Sequence, residues 1–234
     1  MERSVEPEVL DGLPAADPRA DHSRADLRLL NSIMGHPRIL AHALREALSV
    51  SGLPQRPLRL VELGAGDGTV LLKVARRLSP LGIRAEVTLL DRQELVSTQT
   101  RQSCASLQWP LESLVADVFG GLEAFANPVD VILCNLFLHH FPRKILAALL
   151  CLASTKTSLF IACEPRRAGL ALAASHGLLL LGCNAVTRHD AVVSVRAGFR
   201  DQEISEIWPV EGPWTLRERS AGLFSHSFVA RRHG

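Results

Sequence analysis

The stretch Leu58–Thr69, reading L-R-L-V-E-L-G-A-G-D-G-T, constrains this chain more than any other. Leu58 to Leu63 is a short apolar run of strand-forming character. Gly64, Gly66 and Gly68 then permit positive φ and let a ligand approach the backbone closely. Thr69 to Leu78 resumes with helical spacing and is punctuated by Ser79-Pro80. A strand that passes through a glycine turn directly into a helix places that turn at the ligand-facing end of an α/β sheet. The spacing excludes two nucleotide cradles. A dinucleotide fingerprint needs a glycine at 69, where Thr69 stands, and no Lys-Ser/Thr follows the turn as a P-loop requires. Instead Glu62 lies two residues before Gly64. A carboxylate there suits a ligand carrying positive charge and would repel a pyrophosphate.

The rest of the chain repeats the alternation. Further strands are expected at 85–90, ending in Asp91, weakly at 107–115, then at 129–134 and 158–163. Helices are expected at about 94–104, 145–152, 167–181, 190–197 and 202–208. The segments 214–219 and 224–230 alternate as a strand pair around Ala221-Gly222. The implied fold is α/β: a Rossmann-like, seven-stranded, mostly parallel sheet with helices on both faces and a C-terminal antiparallel strand pair. Residues 1–22, with three prolines and no hydrophobic period, read as a flexible lead. Residues 23–52 read as a helical lid of two helices. The first is capped by Ser23, and Gly35-His36-Pro37 breaks the pair; Gly52-Leu53-Pro54 ends the second. Residues 53–234 form the core of what is expected to be one domain.

Composition narrows the class. With 47% hydrophobic and 21% charged residues over 234 positions, disorder is excluded for most of the chain. A net charge of +2 argues against a strong electrostatic hold on nucleic acid or an anionic membrane. The five cysteines are odd in number and form no C-x-x-C pair, the wrong pattern for a disulfide framework or zinc knuckle. They read as small buried hydrophobes in a reducing compartment. The N-terminus lacks a signal-peptide pattern. The apolar stretch Ala168–Cys183 is short for a bilayer span and carries His176 and Gly177. A cytoplasmic protein is expected.

The motif set resembles the class I S-adenosylmethionine-dependent methyltransferases, small-molecule branch, over roughly residues 58–231. Glu62-Leu63-Gly64-Ala65-Gly66-Asp67-Gly68 resembles their first motif. Asp91 with Arg92 matches the acidic position after the second strand, where a carboxylate takes the ribose hydroxyls. Ala116-Asp117-Val118 resembles the adenine-flanking segment, and Asp130–Leu136, with Asn135 and Leu136, the fourth-strand motif. Ala197-Gly198-Phe199 resembles the turn before the last strands. The resemblance implies S-adenosylmethionine as cofactor, held by Glu62, Gly64, Ala65, Gly66, Asp67, Asp91, Arg92, Asp117, Val118, Asn135 and Leu136.

Methyl transfer to a hydroxyl or an acidic carbon is helped by a base. His139 and His140, directly after the fourth strand, are the candidates, because an imidazole near its free pKa is suited to that work. The alternative is that the pair only shapes the pocket. Arg166, beside Arg167 after the fifth strand, is a candidate for holding an acceptor oxygen, against a plain surface pair. Asn31, Met34 and His36 are candidate acceptor contacts at the lid kink, against ordinary helix packing. Asp190 reads as favoured at a helix start. No metal is expected, since Leu136 and Phe137 stand where a metal-using relative would want a carboxylate. No target-base motif follows Asn135, so the expected partner is a small molecule, with no nucleic acid and no membrane; a homodimer is compatible. The apolar segment Leu178–Leu181 points to a moderately hydrophobic acceptor. The expected reaction is methylation of an oxygen on a phenol, quinol or carboxylate of a secondary metabolite. The alternatives are a non-catalytic cofactor-binding subunit acting through a partner, or a C-methyltransferase of quinone or polyketide type.

Overall fold

The computed structural model describes residues 1–51 and 55–233. The Gly52-Leu53-Pro54 helix stop therefore lies outside the described residues. In chain order the elements are α1 (Pro18–Ile33), α2 (His36–Ser51), β1 (Leu58–Leu63), α3 (Thr69–Leu78), β2 (Ala85–Asp91), α4 (Thr98–Ser106) and β3 (Leu111–Val115). They continue with α5 (Val118–Glu123), β4 (Val129–Asn135), α6 (Arg143–Lys156), β5 (Thr157–Pro165), α7 (Gly169–His176), α8 (Ala185–Ala197), β6 (Trp214–Ala221) and β7 (Ser225–Arg232). The strands form one seven-stranded sheet in the order β3-β2-β1-β4-β5-β7-β6. β1 to β5 are mutually parallel, and β7 is antiparallel to both β5 and β6. The strand order reverses between β1 and β4, and ligands in such sheets bind at that switch.

Alternation along the strands builds two cores. Leu58 and Leu60 of β1 face α2 and α3 with Val131, Leu133 and Ile161; Val61 and Leu63 face α5 and α6 with Ile132, Phe160 and Phe228. Helices thus cover both faces, as the near-continuous apolar strands require.

Several boundaries differ from the sequence reading. α1 starts at Pro18, five residues before Ser23. Asp17 caps it by accepting from the Arg19 amide, and Pro18 has no N–H to leave unsatisfied. Ser23 lies inside the helix and hydrogen-bonds Asn184 Oδ1 at 3.1 Å. Residues 23–52 are not a lid as a unit, because α2 is built into the core: Leu40 and Leu44 are fully buried. The segment 167–181 is not one buried helix. α7 ends at His176, a tighter 3₁₀ turn follows at Gly177–Leu181, and Leu180 is 91% exposed. α8 begins at Ala185, where the Asn184 side chain accepts from the Thr187 amide, so Asp190 does not mark its start. The expected helix at 202–208 is reduced to a 3₁₀ turn at Ser205–Ile207. Four cysteines are buried, but Cys151 is exposed.

The flexible-lead reading of 1–22 also gives way. Arg3 donates to the carbonyls of Ala197, His139 and Phe141 at 2.7, 3.2 and 3.0 Å. The amides of Val9 and Leu10 both donate to the Asp190 carboxylate at 2.9 Å. A buried carboxylate satisfied by two amides of the lead holds that segment against α8. No helix among the described residues is long and apolar enough to cross a membrane.

Candidate active site

A cleft of about 540 Å³ opens over the carboxyl ends of β1, β2 and β4. Its floor is the glycine turn. Gly64 (φ 62°) donates to the Leu90 carbonyl at 2.9 Å, and a Cβ there would stand 2.2 Å from the Phe137 ring. Gly66 (φ 57°) donates to Asp91 Oδ2 at 2.8 Å, while Asp91 Oδ1 accepts from the Gln93 amide at 3.0 Å. One carboxylate thus pins the turn to the end of β2 and keeps oxygen lone pairs toward the cleft. Ala65, Arg92 and Val118 also line it.

Glu62 is the decisive side chain. It is 2% exposed, on the strand face otherwise occupied by Leu58 and Leu60, and its Oε2 has no hydrogen-bond partner. Burial, reinforced by the charges of Asp67 and Asp91, pushes its carboxyl up to about 8. An orphaned buried carboxylate is costly, and aiming it into a ligand cleft fits a group that brings a cation to it. Asn135 shows the same signature: its Nδ2 donates to Asn31 Oδ1 at 3.0 Å, and its own Oδ1 is buried without a partner. Leu136 follows with φ 52°, strained for a leucine and held by a bond from its amide to the Cys163 carbonyl.

Other predicted cofactor residues have structural duties as well. Asp67 Oδ1 accepts from the Thr69 amide and hydroxyl, and Oδ2 pairs with Arg28 of α1 at 2.8 Å. Asp117 caps α5, accepting from the amides of Phe119 and Gly120 at 3.0 Å each. Both still border the cleft.

The acceptor candidates divide. Asn31 lines the cleft, but Met34, His36 and Arg166 do not. His36 is fully buried between Asn31 Oδ1 (2.7 Å) and Ser225 Oγ (2.8 Å), and burial lowers its pKa to about 4. It braces Asn31 from behind. Arg166 pairs through its backbone with Phe224 and lies beside Phe199. Its neighbour Arg167 is the buried one, with its guanidinium on Glu203 and the Gly198 carbonyl. Leu178–Leu181 lie outside the cleft wall, so they say nothing about the acceptor.

The two histidines have opposite characters. His139 is 2% exposed; Nδ1 lies 2.8 Å from Glu164 and Nε2 3.2 Å from Glu8. Burial alone would lower its pKa, but hydrogen bonds to the two carboxylates outweigh it and raise it to about 9. At neutral pH His139 is an imidazolium with both nitrogens engaged, so it is not a base. His140 is half-buried on the cleft wall, and its pKa is lowered by burial and by the adjacent imidazolium. It stays neutral, with Nδ1 3.4 Å from Asp11.

Three residues of this cluster escape a motif reading. Glu164 is fully buried at the end of β5 and accepts from the amides of Phe137, Leu138 and His139. Its sequence signal was an acid closing the apolar run S-L-F-I-A-C-E. Glu8 and Asp11 come from the lead, where nothing in the sequence marks them. Glu8, His139 and His140 offer ligand atoms within 4.8 Å of one another. The carboxylate absent at 136 and 137 is thus supplied from another element, but in this arrangement it is spent on the His139 ion pair.

Residues 60–155 match a family model described as a methyltransferase domain. Over that segment the chain is similar to methyltransferase domains. The matched segment holds the glycine turn, Asp91, Asp117 and both histidines. Solved structures show the same fold at low identity. An O-methyltransferase family protein from Burkholderia thailandensis is 17% identical, with TM-score 0.61 over 92% of this chain and 59% of that one. The magnesium protoporphyrin IX methyltransferase ChlM from Synechocystis, with bound SAM, is 14% identical, with TM-score 0.53 over 96% and 88%. The plantazolicin methyltransferase BamL, in complex with a desmethylPZN analogue and SAH, is 14% identical, with TM-score 0.61 over 93% and 92%. This chain therefore spans less than two thirds of the Burkholderia protein. No curated protein matches it in sequence.

Proposed function

We propose that this protein transfers a methyl group from S-adenosylmethionine to an oxygen of a small-molecule acceptor. The observation that carries the reading is Glu62, a buried carboxylate with a free oxygen at the sheet's switch point. The cofactor is a sulfonium that supplies an already activated methyl group. Glu62 and the Asn135 Oδ1 would take the donors of its amino-acid part, and Asp91 its ribose hydroxyls. Gly64 and Gly66 leave room for the chain to approach it. The protein's work is then alignment and exclusion of water, which Phe137 and Leu136 provide as apolar walls.

His140 is the group placed to accept the acceptor's proton, since it is neutral and on the wall. His139, bonded to Glu164 and Glu8, instead holds the loop that carries His140. The test is a methyl-release assay with S-adenosylmethionine across phenols, quinols and carboxylic acids. Turnover on an oxygen acceptor is expected, and His140→Ala should lower kcat by about 10²-fold with cofactor affinity intact. No release on any acceptor, or an unchanged kcat in the variant, would sink the respective part.

A further inference from the structure

We infer that the N-terminal segment Arg3–Asp11 is the outer wall of the acceptor subsite and that it selects an uncharged planar aromatic acceptor over an anionic one. The inference rests on the methyl-transfer reading for the word acceptor, but its evidence is separate. Glu8, Leu10 and Asp11 border the same cleft as Phe137, His140 and Phe141. They come from outside the matched methyltransferase segment, which begins at residue 60.

The wall is fixed in place. Arg3 spans three carbonyls, two of them in the 139–141 loop, and its guanidinium stacks 4.6 Å over the Phe199 ring. Asp190 of α8 holds the two amides at residues 9 and 10, and Ser194 of the same helix hydrogen-bonds Glu8. Hydrogen bonds at both ends hold the segment in place, and Leu10, packed against Leu13, Ala20 and Val186, borders the cleft.

Shape gives the first half of the selection. Phe137 and Phe141 meet edge to face at 5.1 Å, and His140 lies 6.4 Å from Phe137. An aromatic rim and a leucine lining one cleft favour a flat apolar body. Charge gives the second half. On this wall the Glu8 carboxylate is matched by the His139 imidazolium. Asp11 is not comparably matched, because its nearest guanidinium, Arg92, stands 3.8 Å away with a side chain 66% exposed. Burial, with the Glu8 charge adding to it, raises the Asp11 pKa despite the pull of His140. The segment thus sets two carboxylates, Glu8 and Asp11, beside the aromatic rim, so a carboxylate on the acceptor would meet like charge there while a hydroxyl finds an acceptor.

The test is calorimetric titration of the full chain, first with S-adenosylhomocysteine, then with naphthol or with the naphthoate of the same substitution pattern at neutral pH. Naphthol is expected to bind about tenfold tighter than naphthoate. Asp11→Asn should narrow that ratio by about threefold or more. Leu10→Trp should weaken both probes about tenfold by filling the subsite, and both variants should bind S-adenosylhomocysteine as the wild type does. Equal affinity for the two probes, binding of neither, or an unchanged ratio in Asp11→Asn overturns the inference. Failure of the first titration in the wild type would instead overturn the cofactor reading, before any aromatic probe is added.

Discussion

Glu62 joins stability to function in one side chain. Its folded pKa of about 8 lies above the ordinary 4.5, so the folded state prefers it protonated. The sign follows: as pH rises from 4.5 to 8 the unfolded chain loses this proton more readily, and stability falls over that window. Glu62→Gln removes the titration and keeps the shape. The variant should gain thermal stability relative to wild type between those pH values and hold a constant gain above them. The same change should weaken S-adenosylhomocysteine binding by about ten- to a hundredfold, the worth of one charge-assisted hydrogen bond. A variant equal to wild type in both scans would refute the role. This residue was legible in the sequence because it breaks an apolar alternation at one identifiable point. His36 was not. Its spacing fits an acceptor contact as well as a brace, and only the positions of Asn31 and Ser225 decide between them.

The post-β4 loop is held by a residue from β5, the strand beside β4. Glu164 takes three amides of residues 137–139 and the His139 ring, so the loop's conformation is set by one buried carboxylate. Removing one partner of a buried pair typically costs about 3–5 kcal/mol. Glu164→Gln keeps acceptor oxygen for the amides but loses the charge, so a loss near the lower end is expected, read by urea unfolding. The pH dependence identifies the mechanism. His139 is raised from 6.5 to about 9, so its stabilisation is complete below 6.5 and lost as pH rises through 9. Wild type should lose stability across that window, and Glu164→Gln should show a flatter profile. Equal slopes would mean that the pair is not the fastener. β1, β2, β4 and β5 were readable because each is a largely apolar run bounded by turns, and β6 and β7 because they alternate around Ala221-Gly222; β3, with Glu112 and Ser113 inside it, left only a weak signal. The helix limits failed where a better cap lay outside the motif, Asp17 before Ser23 and Asn184 before Asp190. The role of the lead was invisible, since its contacts are with α8 and the 139–141 loop, more than a hundred residues away.

At the scale of the molecule, the sheet divides into a binding half and a supporting half. The cleft draws on the carboxyl ends of β1, β2 and β4, while β6 and β7 form the far antiparallel edge. β7 still reaches the site indirectly, because Ser225 holds His36 and His36 holds Asn31. A ligand that binds only the folded state stabilises it globally, but local opening slows most where the ligand bridges segments. Amide exchange with and without S-adenosylhomocysteine should therefore separate the halves. Protection is expected at residues 64–67, 91–93 and 135–137, which converge on the cleft from three strands. Residues 214–224, along the outer strand and its turn, should exchange at unchanged rates under conditions where local opening dominates. Uniform protection of both halves would show one cooperative unit in which the edge pair responds to the cleft. Protection confined to β6 and β7 would place the cofactor elsewhere, because the orphaned oxygens of Glu62 and Asn135 would then still lack the partner that their burial demands.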